Sequence, residues 1–223
     1  MSDLNQQENQ TIQETVVMMD QLPASDGPRA ESPLYHVDLA TITKDGAEEG
    51  GVILQEEALL GHLVVRGNVA DETFKSGIQQ VLGFEVPGTL KSRTKDGITM
   101  CWISPDEWLV ILPNADSFKT EVALREALNG HFAIVNVSGG QTVINLSGDK
   151  VREVLKKSTP YDVDDVNFPV GKVVTSVFAK AQAVILRKSE TEWNLVVRRS
   201  FADYIWLWLQ DAAAEYGLVI KNT

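Results

Sequence analysis

Apolar positions along this chain follow two periods, one of two residues and one near 3.6, and the two alternate from about residue 59 to residue 217. Leu59 to Arg66 holds the run Leu63-Val64-Val65, a β-branched cluster typical of a strand, and Gly67 ends it. Asp71 to Leu82 places Phe74, Ile78, Val81 and Leu82 at helical spacing, with Gly83 as its C-terminal cap. Ile98 to Ile103 returns to period two. Ser104-Pro105-Asp106-Glu107 is turn chemistry, with proline presetting φ, and Trp108 to Leu112 is the next strand.

The pattern continues in the second half. Asp116 or Ser117 caps a helix running to about Asn129, supported by the Glu121–Arg125 pair and stopped by Gly130. His131 to Val137 and Gln141 to Leu146 are apolar runs joined by Ser138-Gly139-Gly140, which predicts a hairpin. Ser147 opens a short helix that turns Val151, Val154 and Leu155 inward. Phe168-Pro169-Val170-Gly171 breaks the chain; Val173 to Arg187 and Trp193 to Arg198 form another strand pair. Ser200 caps a last helix, Phe201 to Tyr216, which ends at Gly217. Helices are interleaved with strands, yet the strands pair as hairpins. That predicts an α+β fold of mixed, mainly antiparallel sheets with packed helices, rather than a doubly wound parallel sheet.

Residues 1–31 depart from this pattern. They contain no aromatic residue and are rich in Gln, Glu, Asp, Ser and Thr, so they bury too little to offset the entropy of ordering and read as a disordered acidic tail. The folded part is expected over 32–223, as one domain or two closely packed lobes. Net charge over the whole chain is -11, which repels nucleic acid and anionic lipid, and the basic runs Lys156-Lys157 and Arg198-Arg199 are too short to track phosphates. The first basic residue is Arg29 and the early apolar run Val16-Val17-Met18-Met19 is far short of a membrane span, so neither export nor a membrane partner is expected. The lone cysteine points to a reducing compartment.

Candidate chemistry is sparse. His36, His62 and His131 have no Cys, His or Asp at metal-ligand spacing, so no metal site is predicted. Cys101, between Met100 and Trp102 in a strand, lacks the electropositive setting that activates a thiol and reads as buried and inert. Gly139-Gly140 is followed by a strand where a phosphate loop needs a helix; Gly148-Asp149 leads into a helix without a phosphate-binding fingerprint. The adjacent carboxylates Asp106-Glu107 and Asp164-Asp165 are of a kind usually found in solvated turns, whereas acid–base pairs come from separate segments. No catalytic or cofactor-binding residue is assigned.

One combination of segments is specific. Glu31-Ser32-Pro33-Leu34, Trp102-Ile103-Ser104-Pro105-Asp106-Glu107-Trp108-Leu109, Asn136-Val137-Ser138, Leu146-Ser147-Gly148, Phe168-Pro169-Val170-Gly171 and Arg199-Ser200-Phe201-Ala202-Asp203-Tyr204-Ile205-Trp206 together resemble the gamma subunit of heterotetrameric sarcosine oxidase, over about residues 31 to 217. The resemblance implies a fold similar to the folate-binding domain of the glycine-cleavage aminomethyltransferases. It implies a cytoplasmic complex with alpha, beta and delta subunits, with alpha as the chief partner. That complex demethylates sarcosine oxidatively to glycine and hydrogen peroxide, and forms methylenetetrahydrofolate when tetrahydrofolate is present. FAD, FMN, NAD and tetrahydrofolate are then expected on alpha and beta, and zinc on delta, with none on this chain. Asn136 stands where relatives often carry Asp, and the acidic tail is longer than the family leads one to expect.

The last helix is the expected docking element. With Phe201 as origin and about 100° per residue, Phe201, Ile205, Trp208, Ala212 and Tyr216 form the core stripe, leaving Trp206 with Ala213 on one flank and Leu207 on the other. Trp206, Leu207 and Ala213 are therefore the expected partner-interface residues, since interface cores are enriched in tryptophan. The competing reading is a stand-alone folate-dependent aminomethyltransferase-like protein, which needs a polar pocket with a carboxylate for the pterin and a second for proton transfer.

Overall fold

The computed structural model describes residues 30–222, so the acidic tail, apart from Ala30 and Glu31, lies outside the described residues. Among the described residues, eleven strands and five α-helices follow in chain order as α1 (Leu39–Asp45), β1 (Val52–Glu57), β2 (Leu60–Arg66), α2 (Glu72–Leu82), β3 (Ser92–Lys95), β4 (Ile98–Ser104), β5 (Glu107–Pro113), α3 (Asn114–Ala127), β6 (Ala133–Asn136), β7 (Gln141–Ser147), α4 (Val151–Ser158), β8 (Val173–Phe178), β9 (Ala181–Arg187), β10 (Glu192–Arg198), α5 (Ala202–Ala213) and β11 (Leu218–Lys221). The predicted class, α+β with mainly antiparallel sheets, is the class observed.

A six-stranded sheet has the order β11-β1-β7-β10-β9-β8 and a five-stranded sheet the order β3-β4-β5-β2-β6. The β1–β11 pairing is parallel and the other described ladders are antiparallel. Strand alternation sorts the side chains into three apolar layers. Leu54, Ile144, Leu146, Ile185, Trp193 and Leu195 leave the outer face of the six-stranded sheet and pack under α4 and α5. Leu63, Val65, Met100, Trp108 and Val110 leave the outer face of the other sheet and meet Phe74, Ile78 and Leu82 of α2 and Leu124 of α3. Between the sheets, Cys101, Leu109 and Ile111 meet Val143, Val173, Leu186 and Val196. The result is four layers: helices, sheet, sheet, helices.

The element starts follow local chemistry. Asp71 caps α2 through Thr73 N–H, and Gly83, at φ 75, closes it in the left-handed region that a Cβ disfavours. Gly148 is required by contact, because a Cβ there would sit 2.3 Å from the Gly51 carbonyl oxygen where β1 and the β7–α4 turn cross.

One predicted connection is corrected. β6 pairs with β2 in the five-stranded sheet, whereas β7 lies between β1 and β10 in the other. Ser138-Gly139-Gly140 is therefore a single 3-10 turn that carries the chain between sheets, and no hairpin forms there. The Asn136 side-chain oxygen accepts from Ser138 N–H at 3.1 Å and from Ser138 Oγ at 2.6 Å, which bends the chain away from a hairpin path.

Candidate functional site

Glu56 is the first polar group that strand alternation turns the wrong way. It follows Val52 and Leu54 on the inward face of β1 and is 1% exposed. Its two carboxylate oxygens accept from Ser32 Oγ and Thr142 Oγ1, each at 2.7 Å. Such a buried carboxylate, held by two hydroxyl donors, fastens the entry of the folded chain to the middle of the six-stranded sheet.

A second polar cluster lies on the opposite face of the same sheet. Asn145 and Asn194 face each other across the β7–β10 ladder and are joined by an amide hydrogen bond of 2.7 Å. Asn145 also donates to Glu192, Asn194 donates to Glu57, and Lys188 lies 2.7 Å from Glu192 and 3.5 Å from Glu57. Burial pushes Glu192 up, but the donors Lys188 and Asn145 outweigh it and hold it below its usual range. Burial likewise opposes charge on Lys188, and its two carboxylates reverse that and raise it. These groups satisfy one another and set the register of the central strands.

His62 is different. It points from β2 toward the inter-sheet layer, is 1% exposed, and neither ring nitrogen has a hydrogen-bond partner among the described residues. Burial pushes its pKa down to about 4, so the ring is neutral near pH 7. Its backbone is the useful part: His62 N–H donates to Ser138 Oγ and its carbonyl accepts from Val137 N–H, fixing the turn between the sheets.

The remaining sequence candidates are dispersed. His36 pairs with Asp203 at 3.0 Å on the surface, tying the first turn to α5, and His131 is exposed. Cys101 is fully buried and its thiol is pushed up to about 12 by desolvation. Asp106 accepts from the Arg66 guanidinium at 2.9 and 3.1 Å. Asp164 pairs with Lys156 at 3.1 Å, and Asp165 pairs with Arg152 and with Arg187, the latter at 2.7 Å. Both adjacent-acid pairs are engaged with neighbouring cations. Among the described residues no group of three or more His, Cys, Asp or Glu is placed to hold a metal ion.

The last helix corrects its predicted face. Trp206 and Ala213 are 0% exposed and belong to the core with Ala202, Ile205 and Leu209, whereas Leu207 is 58% exposed. The helix begins at Ala202, and Phe201 sits in a preceding 3-10 turn, 41% exposed. With Phe201 removed from the wheel, Ala202, Ile205, Trp206, Leu209, Ala212 and Ala213 fall within about 120°, and Leu207 lies on the far side with Tyr204. Of the three predicted interface residues, only Leu207 faces outward.

Sequence reasoning missed Ser32, Glu56 and Arg187. Arg187 is 1% exposed; it donates to the carbonyls of Phe168, Ser189 and Glu190 and stacks over Trp193. The signal for Glu56 was a charge at an inward position of the run Val52-x-Leu54-x-Glu56. For Arg187 there was none, since its partners come from two separate loops.

Comparison with known proteins places this arrangement. The sequence profile of the "Sarcosine oxidase, gamma subunit family" matches residues 66–215. The chain is 28% identical over 189 residues to a sarcosine oxidase subunit gamma of Arthrobacter sp., covering 83% of this chain and 91% of that one. A subunit gamma of Corynebacterium sp. strain U-96 is 27% identical over 193 residues, with the same coverage. In three dimensions the chain superposes, at TM-score 0.75 and 25% identity, on a chain of heterotetrameric sarcosine oxidase from Corynebacterium sp. U-96 in complex with pyrrole 2-carboxylate, covering 83% of this chain and 95% of that chain. It also shares the fold of glycine cleavage system aminomethyltransferase T from Bartonella henselae, at TM-score 0.61 and 10% identity, over 91% of this chain and 55% of that one.

Proposed function

The chain belongs to the sarcosine oxidase gamma subunit family, and from that premise we propose that it is a non-catalytic subunit of a heterotetrameric sarcosine oxidase, working in the cytoplasm. The superposition over 95% of a chain of the Corynebacterium oxidase carries this reading. In it, the alpha, beta and delta subunits hold the flavins, NAD, tetrahydrofolate and zinc, and this chain docks chiefly on alpha. The assembly converts sarcosine to glycine and hydrogen peroxide, passing the methyl carbon to tetrahydrofolate.

The state of the chain's own reactive groups supports this division of labour. Asp106, Asp164, Asp165 and Glu56 are held by cations or hydroxyls, Cys101 is buried with a raised pKa, and His62 is buried with a lowered one. General acid–base work needs a group that can reach a substrate near its working pH. For docking, the outer surface of α5 offers Leu207 with Tyr204 and Phe201, rimmed by Asp203 and Asp211.

Co-expression with the other subunits tests the proposal. The chain is expected to co-elute with flavin-containing partners, and the isolated chain to show no calorimetric titration with tetrahydrofolate. Saturable micromolar folate binding by a chain that elutes alone would instead establish the stand-alone aminomethyltransferase-like reading.

A further inference from the structure

The outer edge of β8 carries an unpaired stretch of backbone. In the β8–β9 hairpin, Phe178 opposes Ala181 and Ser176 opposes Ala183. Val173 N–H donates outward to the Leu90 carbonyl at 3.0 Å, and Ala179 N–H donates outward to the Ser158 carbonyl at 2.6 Å. Antiparallel pairing alternates, so Thr175 and Val177, of the same parity as Val173 and Ala179, also turn their N–H and C=O groups away from β9. Among the described residues, no backbone or side-chain partner meets those groups. Both side chains are exposed, Val177 at 49%. The edge is thus closed by the Leu90–Ser92 loop at one end and the end of α4 at the other, and open between them.

We propose that this notch is a β-augmentation site that takes a short, acidic, extended segment of another subunit of the assembly; the inference rests on the subunit reading above. Open edges are templates for an added strand, and main-chain hydrogen bonds supply the affinity. The notch admits only a short segment, because the two closures stand in the line such a segment would follow. A second copy of this chain would bring its own pair of closures against them, which disfavours edge-to-edge self-pairing. The acidic character follows from charge: Lys91, bridged to Lys172 at one end, and Lys180, in the β8–β9 turn at the other, are exposed and have no ion pair among the described residues. They lie on a chain whose net charge is -11, so this edge is locally basic on an acidic protein. Thr175 and Val177 offer β-branched neighbours to the incoming side chains.

Hydrogen–deuterium exchange of the full-length chain, alone and in the co-expressed assembly, tests this at the peptide spanning β8. Two amides, those of Thr175 and Val177, exchange rapidly in the free chain and are expected to slow by about tenfold or more in the assembly. Thr175→Pro and Val177→Pro remove only outward N–H groups, so they keep the β9 ladder and the fold while weakening co-purification. Ser176→Pro breaks that ladder and serves as the folding control. An assembly that forms without protecting these two amides overturns the edge proposal and leaves the subunit reading standing. Protection already present in the free chain, and lost on deleting residues 1–29, overturns it too, by showing that the chain closes its own edge. If no assembly forms at all, both readings fall.

Discussion

Truncating Trp206 discriminates between a core residue and a docking anchor. Its side chain is fully buried between α5 and the six-stranded sheet, among Ile205, Leu209 and Ala213 of its own helix. Removing a buried aromatic costs its transfer free energy together with the cavity left behind, about 3–5 kcal/mol. One feature lowers the figure slightly: the indole N–H has no partner among the described residues, so the wild-type chain already buries an unsatisfied donor. Trp206→Ala is therefore expected near 3 kcal/mol and Trp206→Phe, which deletes that donor and keeps most of the ring, near 1 kcal/mol or less. For a domain of this size, 3 kcal/mol lowers Tm by roughly 6–12 °C. The assay is urea denaturation of the isolated chain, read by tryptophan fluorescence and far-UV circular dichroism together. A Trp206→Ala chain within 1 kcal/mol of wild type, but unable to assemble, would refute the core assignment and restore Trp206 as an anchor.

Leu207→Asp, on the exposed face of α5, is expected to leave the isolated chain within about 0.5 kcal/mol and to weaken co-purification with the other subunits by about tenfold or more; unchanged assembly would remove this face from the docking surface. Acid should destabilise the chain through His62, whose folded pKa of about 4 lies below its unfolded value of 6.5. The unfolded chain binds the proton first, so stability is full above about pH 6.5 and declines by roughly 3 kcal/mol by pH 4; His62→Leu should flatten that slope in a pH series of denaturation curves. Arg187→Met takes the guanidinium donors from the Phe168, Ser189 and Glu190 carbonyls around a 1% exposed site, while Asp165 keeps Arg152; it is expected to cost about 1–3 kcal/mol, measured by thermal melting. Cys101, with its thiol pushed up to about 12 inside the inter-sheet layer, should resist thiol reagents at pH 8 until the chain unfolds.

Regular periodicity carried much of this fold into the sequence, and its failures have physical causes. Asp71 to Leu82 was legible because it buries one stripe against one layer, and Leu59 to Arg66 and Ile98 to Leu112 because their β-branched and aromatic runs are punctuated at Gly67 and Ser104-Pro105. β1 and β11 went unread, since β1 mixes Gln55, Glu56 and Glu57 with its apolar positions and β11 has only four residues. The turn at Ser138-Gly139-Gly140 has hairpin composition, but composition cannot tell a return to the same sheet from a crossing to the next; the local Asn136–Ser138 bond and the long-range bond from His62 N–H to Ser138 decide that. In α5 the error was one of phase. Placing the helix start one residue early, at Phe201, moved Trp206 out of a core it fills.

The four-layer arrangement also explains why the chemistry-bearing residues offered so little. A chain with two helix-covered sheets pressed face to face has three apolar layers, and groups caught in them must be neutral or matched. His62 and Cys101 fall in the inter-sheet layer and are kept uncharged. Glu56 and Arg187 fall at the ends of strands under the helices, where hydroxyls, carbonyls and acids surround them. Asp106, Asp164 and Asp165 lie in turns, where Arg66, Lys156, Arg152 and Arg187 join one segment to another. Each of these ionisable groups thus stiffens the frame. Among the described residues, the apolar surface at Leu207 and the outward backbone at Thr175 and Val177 are by contrast features that contact with another chain would satisfy.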